Sequence, residues 1–93
     1  MPKNQIRAEI SEENYQKLLD LIDITKKELP DLLNEALEIG LQEVRILFGV
    51  EKYKAGIFSI GKLSEFTGVS YREIYGELNK RGVKLRINET LEL

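Results

Sequence analysis

The sequence predicts a mainly α fold in which one short N-terminal strand per chain and two helices are followed by a glycine-turned helix pair, the whole acting as a dimer. Three observations predict it. Residues 5–10 alternate apolar and polar side chains with a period of two, which reads as a strand. Residues 29–54 carry an apolar pattern of helical period that is too wide for one packing surface. Residues 59–82 hold two serine-capped segments around a glycine. At 93 residues there is room for one ordinary domain or two very small ones.

In the strand, Ile6, Ala8 and Ile10 point one way and Gln5, Arg7 and Glu9 the other. A single strand in a helical chain leaves backbone groups unpaired, so a second copy is the expected partner and Ile6, Ala8 and Ile10 become dimer contacts. Ser11 is placed to cap a helix whose first turn holds Glu12 and Glu13, at the positive end of the dipole. Tyr15, Leu18, Leu19 and Ile22 form its apolar stripe, and it is expected to stop near Asp23.

Thr25-Lys26-Lys27-Glu28 has the form of a capping box, and Pro30 suits the first turn of the helix that follows. In that helix, Leu29, Leu33, Ala36, Leu37, Leu41, Val44, Leu47 and Phe48 make one stripe, flanked by a second of Leu32, Ile39, Ile46 and Val50. Together they span roughly 220° at 100° per residue, more than twice a usual surface helix. Such a helix touches two things at once, and Leu33, Leu37 and Leu41 are the dimer contacts expected from it.

Ala55-Gly56 ends the long helix. Ser59 caps a short helix with Ile60, Leu63 and Phe66; Thr67-Gly68-Val69 turns; Ser70-x-x-Glu73 opens a helix with Tyr71, Ile74, Tyr75 and Leu78 on one side. This is a helix-turn-helix. Its outward face shows Arg72, Gly76 and Asn79, and the mid-helix Gly76 suggests close approach of another backbone. Asn79-Lys80-Arg81-Gly82 is a C-terminus, and residues 83–93 follow as an edge strand or extended arm. The divisions are therefore 1–54, 57–82 and 83–93.

Charge is unevenly spread. Ten acids against three lysines give residues 8–44 a net of −7, while nine bases against four acids give residues 45–88 a net of +5. Two halves with different partners are expected. The chain has no cysteine and no histidine, which excludes disulfides, thiolate nucleophiles and zinc sites of the Cys/His type. No phosphate loop or paired carboxylate site appears, so no enzyme activity, metal or cofactor is expected. The first residues lack an apolar signal core and no run approaches the ~20 apolar residues of a bilayer span, so a cytoplasmic protein without membrane contact is expected.

Residues 3–48 resemble the ribbon-helix-helix repressors, through Gln5-Ile6-Arg7-Ala8-Glu9-Ile10-Ser11-Glu12-Glu13 and Leu32-Leu33-Asn34-Glu35-Ala36-Leu37. That resemblance implies a two-chain ribbon in the DNA major groove, with Gln5 and Arg7 reading bases beside Lys3, and Thr25, Lys26 and Lys27 gripping a phosphate. Glu9 departs from it, standing where a base is expected. From the second motif, Arg72 and Asn79 are the candidate DNA contacts.

The order of the two motifs looks like a family of small prokaryotic antitoxins of the VapB type. It is carried by Tyr53-Lys54-Ala55-Gly56, Ser59 to Ser70, Arg72-Glu73-Ile74 and Leu78-x-x-Arg81-Gly82, with Ser64 where that family usually has alanine. The resemblance implies an autorepressor that also neutralises a PIN-domain ribonuclease toxin. Arg81 and Arg86 are the residues expected to pair with the toxin's metal-binding carboxylates, and Glu89 and Glu92 to mask its basic surround. The helix-turn-helix is also similar to the start of MerR-type regulators, which place it at the N-terminus. Two other readings stay open: a stand-alone transcriptional regulator, and a dimeric protein-interaction module without DNA binding.

Overall fold

The computed structural model describes residues 4–86. Four helices follow one another: α1 (Glu12–Thr25), α2 (Leu29–Lys54), α3 (Ile60–Thr67) and α4 (Tyr71–Lys80). The chain divides into two compact units, Met1–Ala36 and Leu37–Leu93. Among the described residues no helix is long and apolar enough to cross a membrane.

In the first unit Ser11 caps α1 by accepting the Asn14 N–H at 3.1 Å, with Glu12 and Glu13 in the first turn. The helix runs past Asp23 to Thr25 and closes on Lys26, whose left-handed backbone (φ 61°) lets its N–H reach the Ile22 carbonyl. A lysine there carries a strain that glycine avoids. α1 buries no residue, and Leu32 is the one large apolar side chain of this unit that is buried among the described residues.

The ribbon-helix-helix expectation is overturned here: there is no strand among the described residues, and residues 4–10 have no regular secondary structure and are exposed. Ile6 is 90% exposed and Ile10 52%. Period-two alternation gives a segment the face of a strand but no hydrogen-bonding partner, and a strand exists only by pairing. The capping box at Thr25 also fails. Thr25 is the last residue of α1: its hydroxyl donates back to the Leu21 carbonyl at 2.7 Å and accepts the Lys27 N–H at 3.3 Å, so it closes α1 instead of capping α2, which begins at Leu29.

The second unit has a real core. Ile46, Val50 and Tyr53 from the second half of α2 pack with Ile60 and Leu63 of α3, Val69 of the turn, and Ile74 and Leu78 of α4. Of the second apolar stripe in α2, Leu32, Ile46 and Val50 are buried while Ile39 is 65% exposed. The first stripe is exposed throughout. Gly49 explains how closely α2 and α3 approach, because a Cβ there would stand 2.8 Å from Leu63 Cδ1 and 3.2 Å from Phe66 Cδ2.

The ends of these helices are closed locally. After α2, Gly56 (φ 80°) sends its N–H to the Tyr53 carbonyl and Ile57 sends its own to Lys52, a Schellman closure. α4 ends the same way: Gly82 (φ 71°) donates to Asn79 and Val83 to Leu78, with Val83 packed on the core.

Candidate nucleic-acid interface

Ser59 and Ser70 cap α3 and α4 as expected, accepting the N–H groups of Lys62 at 3.0 Å and Glu73 at 3.3 Å. Between them Gly68 takes φ 74°. The turn is then locked from inside. Thr67, 3% exposed, donates its hydroxyl to the Leu63 carbonyl at 2.8 Å and accepts the Val69 N–H at 3.3 Å.

It is also held by α2. Gln42 donates to the Thr67 carbonyl at 3.2 Å, and Arg45 donates to the Phe66 carbonyl while its guanidinium lies 5.1 Å from the Phe66 ring centroid. These are C-terminal carbonyls of α3, which have no partner within their own helix. Gln42, Arg45 and Gly49 were missed by sequence reasoning. The available signal was a glycine in the interior of a long helix, which usually has a packing reason.

On this frame α4 buries Ile74 and Leu78 and turns the opposite side outward. Arg72, Gly76 and Asn79 are all exposed, at i, i+4 and i+7 on one face. A Cβ at Gly76 would meet nothing within 4 Å, so the close approach expected there is not made within the chain. Arg72 makes no ion pair among the described residues, whereas Lys80 and Arg81 both pair with Glu77, at 3.3 and 3.2 Å.

The other site residues read from the sequence are scattered. Lys3 lies outside the described residues. Gln5 and Arg7 stand on the exposed segment before α1, with Ala8 between Ile6 and Ile10. Thr25 and Lys26 close α1 rather than open α2, Lys26 pairs with Asp23 at 3.4 Å, and Lys27 pairs with Glu35. Leu33, Leu37 and Leu41 are exposed by 37%, 54% and 55%.

Arg86 is engaged inside the chain. Its guanidinium donates to the carbonyls of Tyr53 and Phe58, and its backbone N–H donates to the Tyr53 hydroxyl at 3.1 Å. Of the arm assigned to residues 83–93, Ile87 and Asn88, with Glu89 and Glu92, lie outside the described residues.

No family model and no solved structure matches the sequence. Over 44 residues, 47% of its length, the chain is 41% identical to a UPF0175 protein of Archaeoglobus fulgidus, and it spans about half (51%) of that curated relative.

Proposed function

We propose that the chain is a DNA-binding antitoxin whose reader is α4 of the helix-turn-helix. The observation that carries the DNA part is the bare outward face of α4. Arg72 and Asn79 stand exposed on either side of Gly76, on a helix whose other side packs Ile74 and Leu78 into the core. Arginine and asparagine are the side chains that make paired hydrogen bonds to guanine and adenine edges in the major groove. With no side chain between them at Gly76, the helix backbone sits close to the groove floor.

The antitoxin part is supported by the order of residues 53–82, which resembles VapB-type antitoxins, and by the likeness to a UPF0175 protein over half the chain. On this reading the partner is a PIN-domain ribonuclease. Arg81 and Lys84 are the exposed cations beyond α4 that such a partner meets, while Arg86 serves the fold.

The test is fluorescence anisotropy with duplex DNA from upstream of the chain's own gene, against a scrambled duplex at low and at physiological salt. Arg72→Ala and Asn79→Ala should each cost about 10–100-fold in specific affinity, the scale of one good base contact. Absence of binding at low salt refutes the DNA reading. Failure to co-purify with the product of the adjacent gene, or a complex that keeps ribonuclease activity, refutes the antitoxin reading.

A further inference from the structure

The second half of α2 has two apolar faces and the structure fills one. Gln42, Ile46, Gly49, Val50 and Tyr53 face α3 and α4. On the opposite side Leu37, Leu41, Val44, Leu47 and Phe48 remain exposed by 54%, 55%, 46%, 47% and 59%. Leu37, Leu41, Val44 and Phe48 are spaced by four, three and four residues, the seam of a coiled coil.

We propose that this seam is covered by the same seam of a second copy, with the two α2 helices antiparallel about a two-fold axis between Leu41 and Val44. Charge and size choose this occupant and orientation. One edge of the seam carries Glu38 and Arg45 a heptad apart, and the other carries Gly40 and Leu47. Antiparallel pairing puts Leu37 on Phe48 and Leu41 on Val44. The same axis sets Glu38 of each copy beside Arg45 of the other, and Leu47 of each over Gly40 of the other.

All four matches come from one register. Gly40 has room for the visitor, since a Cβ there would meet nothing within 4 Å. Arg45, though bonded to the Phe66 carbonyl, keeps further donors for a carboxylate. A parallel pair instead sets the charged edge of each helix against Gly40 and Leu47 of the other, leaving Glu38 and Arg45 without opposite charges. Such a two-fold, self-complementary patch closes as a dimer. The inference stands whether or not α4 meets DNA.

Sedimentation equilibrium of the full chain in the micromolar range should give twice the 10.7 kDa chain mass. Leu41→Glu with Val44→Glu should weaken self-association at least about 100-fold, leaving a monomer of unchanged far-ultraviolet circular dichroism, since the seam lies at the centre of the contact. Glu38→Lys should weaken it about tenfold, because the new like-charge pair occurs twice.

The chain lacks cysteine, so a nitroxide on Lys52→Cys reports orientation. An antiparallel pair sets the two attachment points about 28 Å apart along the axis at 1.5 Å per residue. A parallel pair holds them at about 10 Å, the spacing of packed helices. A monomer at all concentrations, as when another part of the same chain covers the seam, overturns the proposal. So does a dimer indifferent to Leu41→Glu with Val44→Glu, or a short spin–spin distance.

Discussion

The guanidinium of Arg86 lies over the ring of Tyr53, 4.2 Å from its centroid, and joins two points 33 residues apart in the chain. The contact ties the segment after α4 to the C-terminus of α2. The Tyr53 carbonyl, which also accepts the Gly56 N–H, takes a second bond from Arg86, which holds the Phe58 carbonyl at the approach to α3 as well. Arg86→Ala should destabilise the second unit by about 2 kcal/mol, combining lost charge-assisted hydrogen bonds with a partly buried cation–π contact. Arg86→Lys should recover little, because an ammonium cannot fork to two carbonyls while stacking on a ring. Urea unfolding monitored by circular dichroism reads both.

Two glycines of similar sequence context should respond in opposite directions. Gly49→Ala places a methyl 2.8 Å from Leu63 Cδ1, and Leu63 is fully buried, so its side chain has to shift within the core. The overpacking cost of about 1–3 kcal/mol exceeds the helix-propensity gain of up to ~1 kcal/mol, so a net loss of stability is expected. Gly76→Ala meets nothing and keeps the propensity gain. It should raise the unfolding midpoint while weakening DNA binding, because the added methyl stands between Arg72 and Asn79. A variant that is more stable and binds DNA undiminished would remove α4 as the reader.

The parts of this fold that were legible in the sequence are those decided within a turn of chain. Ser11, Ser59 and Ser70 cap their helices because a hydroxyl needs only an N–H three residues away, and Gly68 and Gly82 take the backbone conformation that favours glycine. What depends on distant partners was not legible. Alternation at residues 5–10 carries no information about whether another strand exists. The two stripes of α2 are equally apolar, and nothing in their composition tells which one α3 and α4 cover. Thr25 satisfies the capping-box spelling, yet it ends α1, where its hydroxyl donates to the Leu21 carbonyl and accepts the Lys27 N–H. Of the candidate site, Arg72 and Asn79 share a face because helical spacing dictates it. Arg86 could not be read as a structural tie, because its partners lie 28 and 33 residues earlier.

The end of α1 offers a gain in stability. Lys26 holds φ 61° without the freedom of glycine, at a cost of roughly 1–2 kcal/mol. Its ion pair with Asp23 is exposed on both sides and contributes little. Lys26→Gly should therefore stabilise the closure of α1 by about 1 kcal/mol, seen as greater helicity at 222 nm and slower amide exchange at residues 22–26. No change would mean that the left-handed turn is not populated in solution.

Among the described residues Thr67 is the polar residue buried with the core side chains, and its hydroxyl serves both sides of the turn. Replacing it with valine keeps the shape and removes the oxygen, so the Val69 N–H loses its acceptor in a buried place. A donor left this way costs about 1–3 kcal/mol. The Leu63 carbonyl loses only a second bond, so the cost is expected to come from Val69. Thr67→Ser keeps the oxygen and should recover most of it, less the packing of the methyl. If the loss is confined to the turn, Thr67→Val will also speed amide exchange at residues 67–70 more than in the α2 core around Val50. Equal acceleration everywhere would instead mean that the turn unfolds only with the whole unit, and that α4 is held as rigidly by the core as by the hydroxyl at its base.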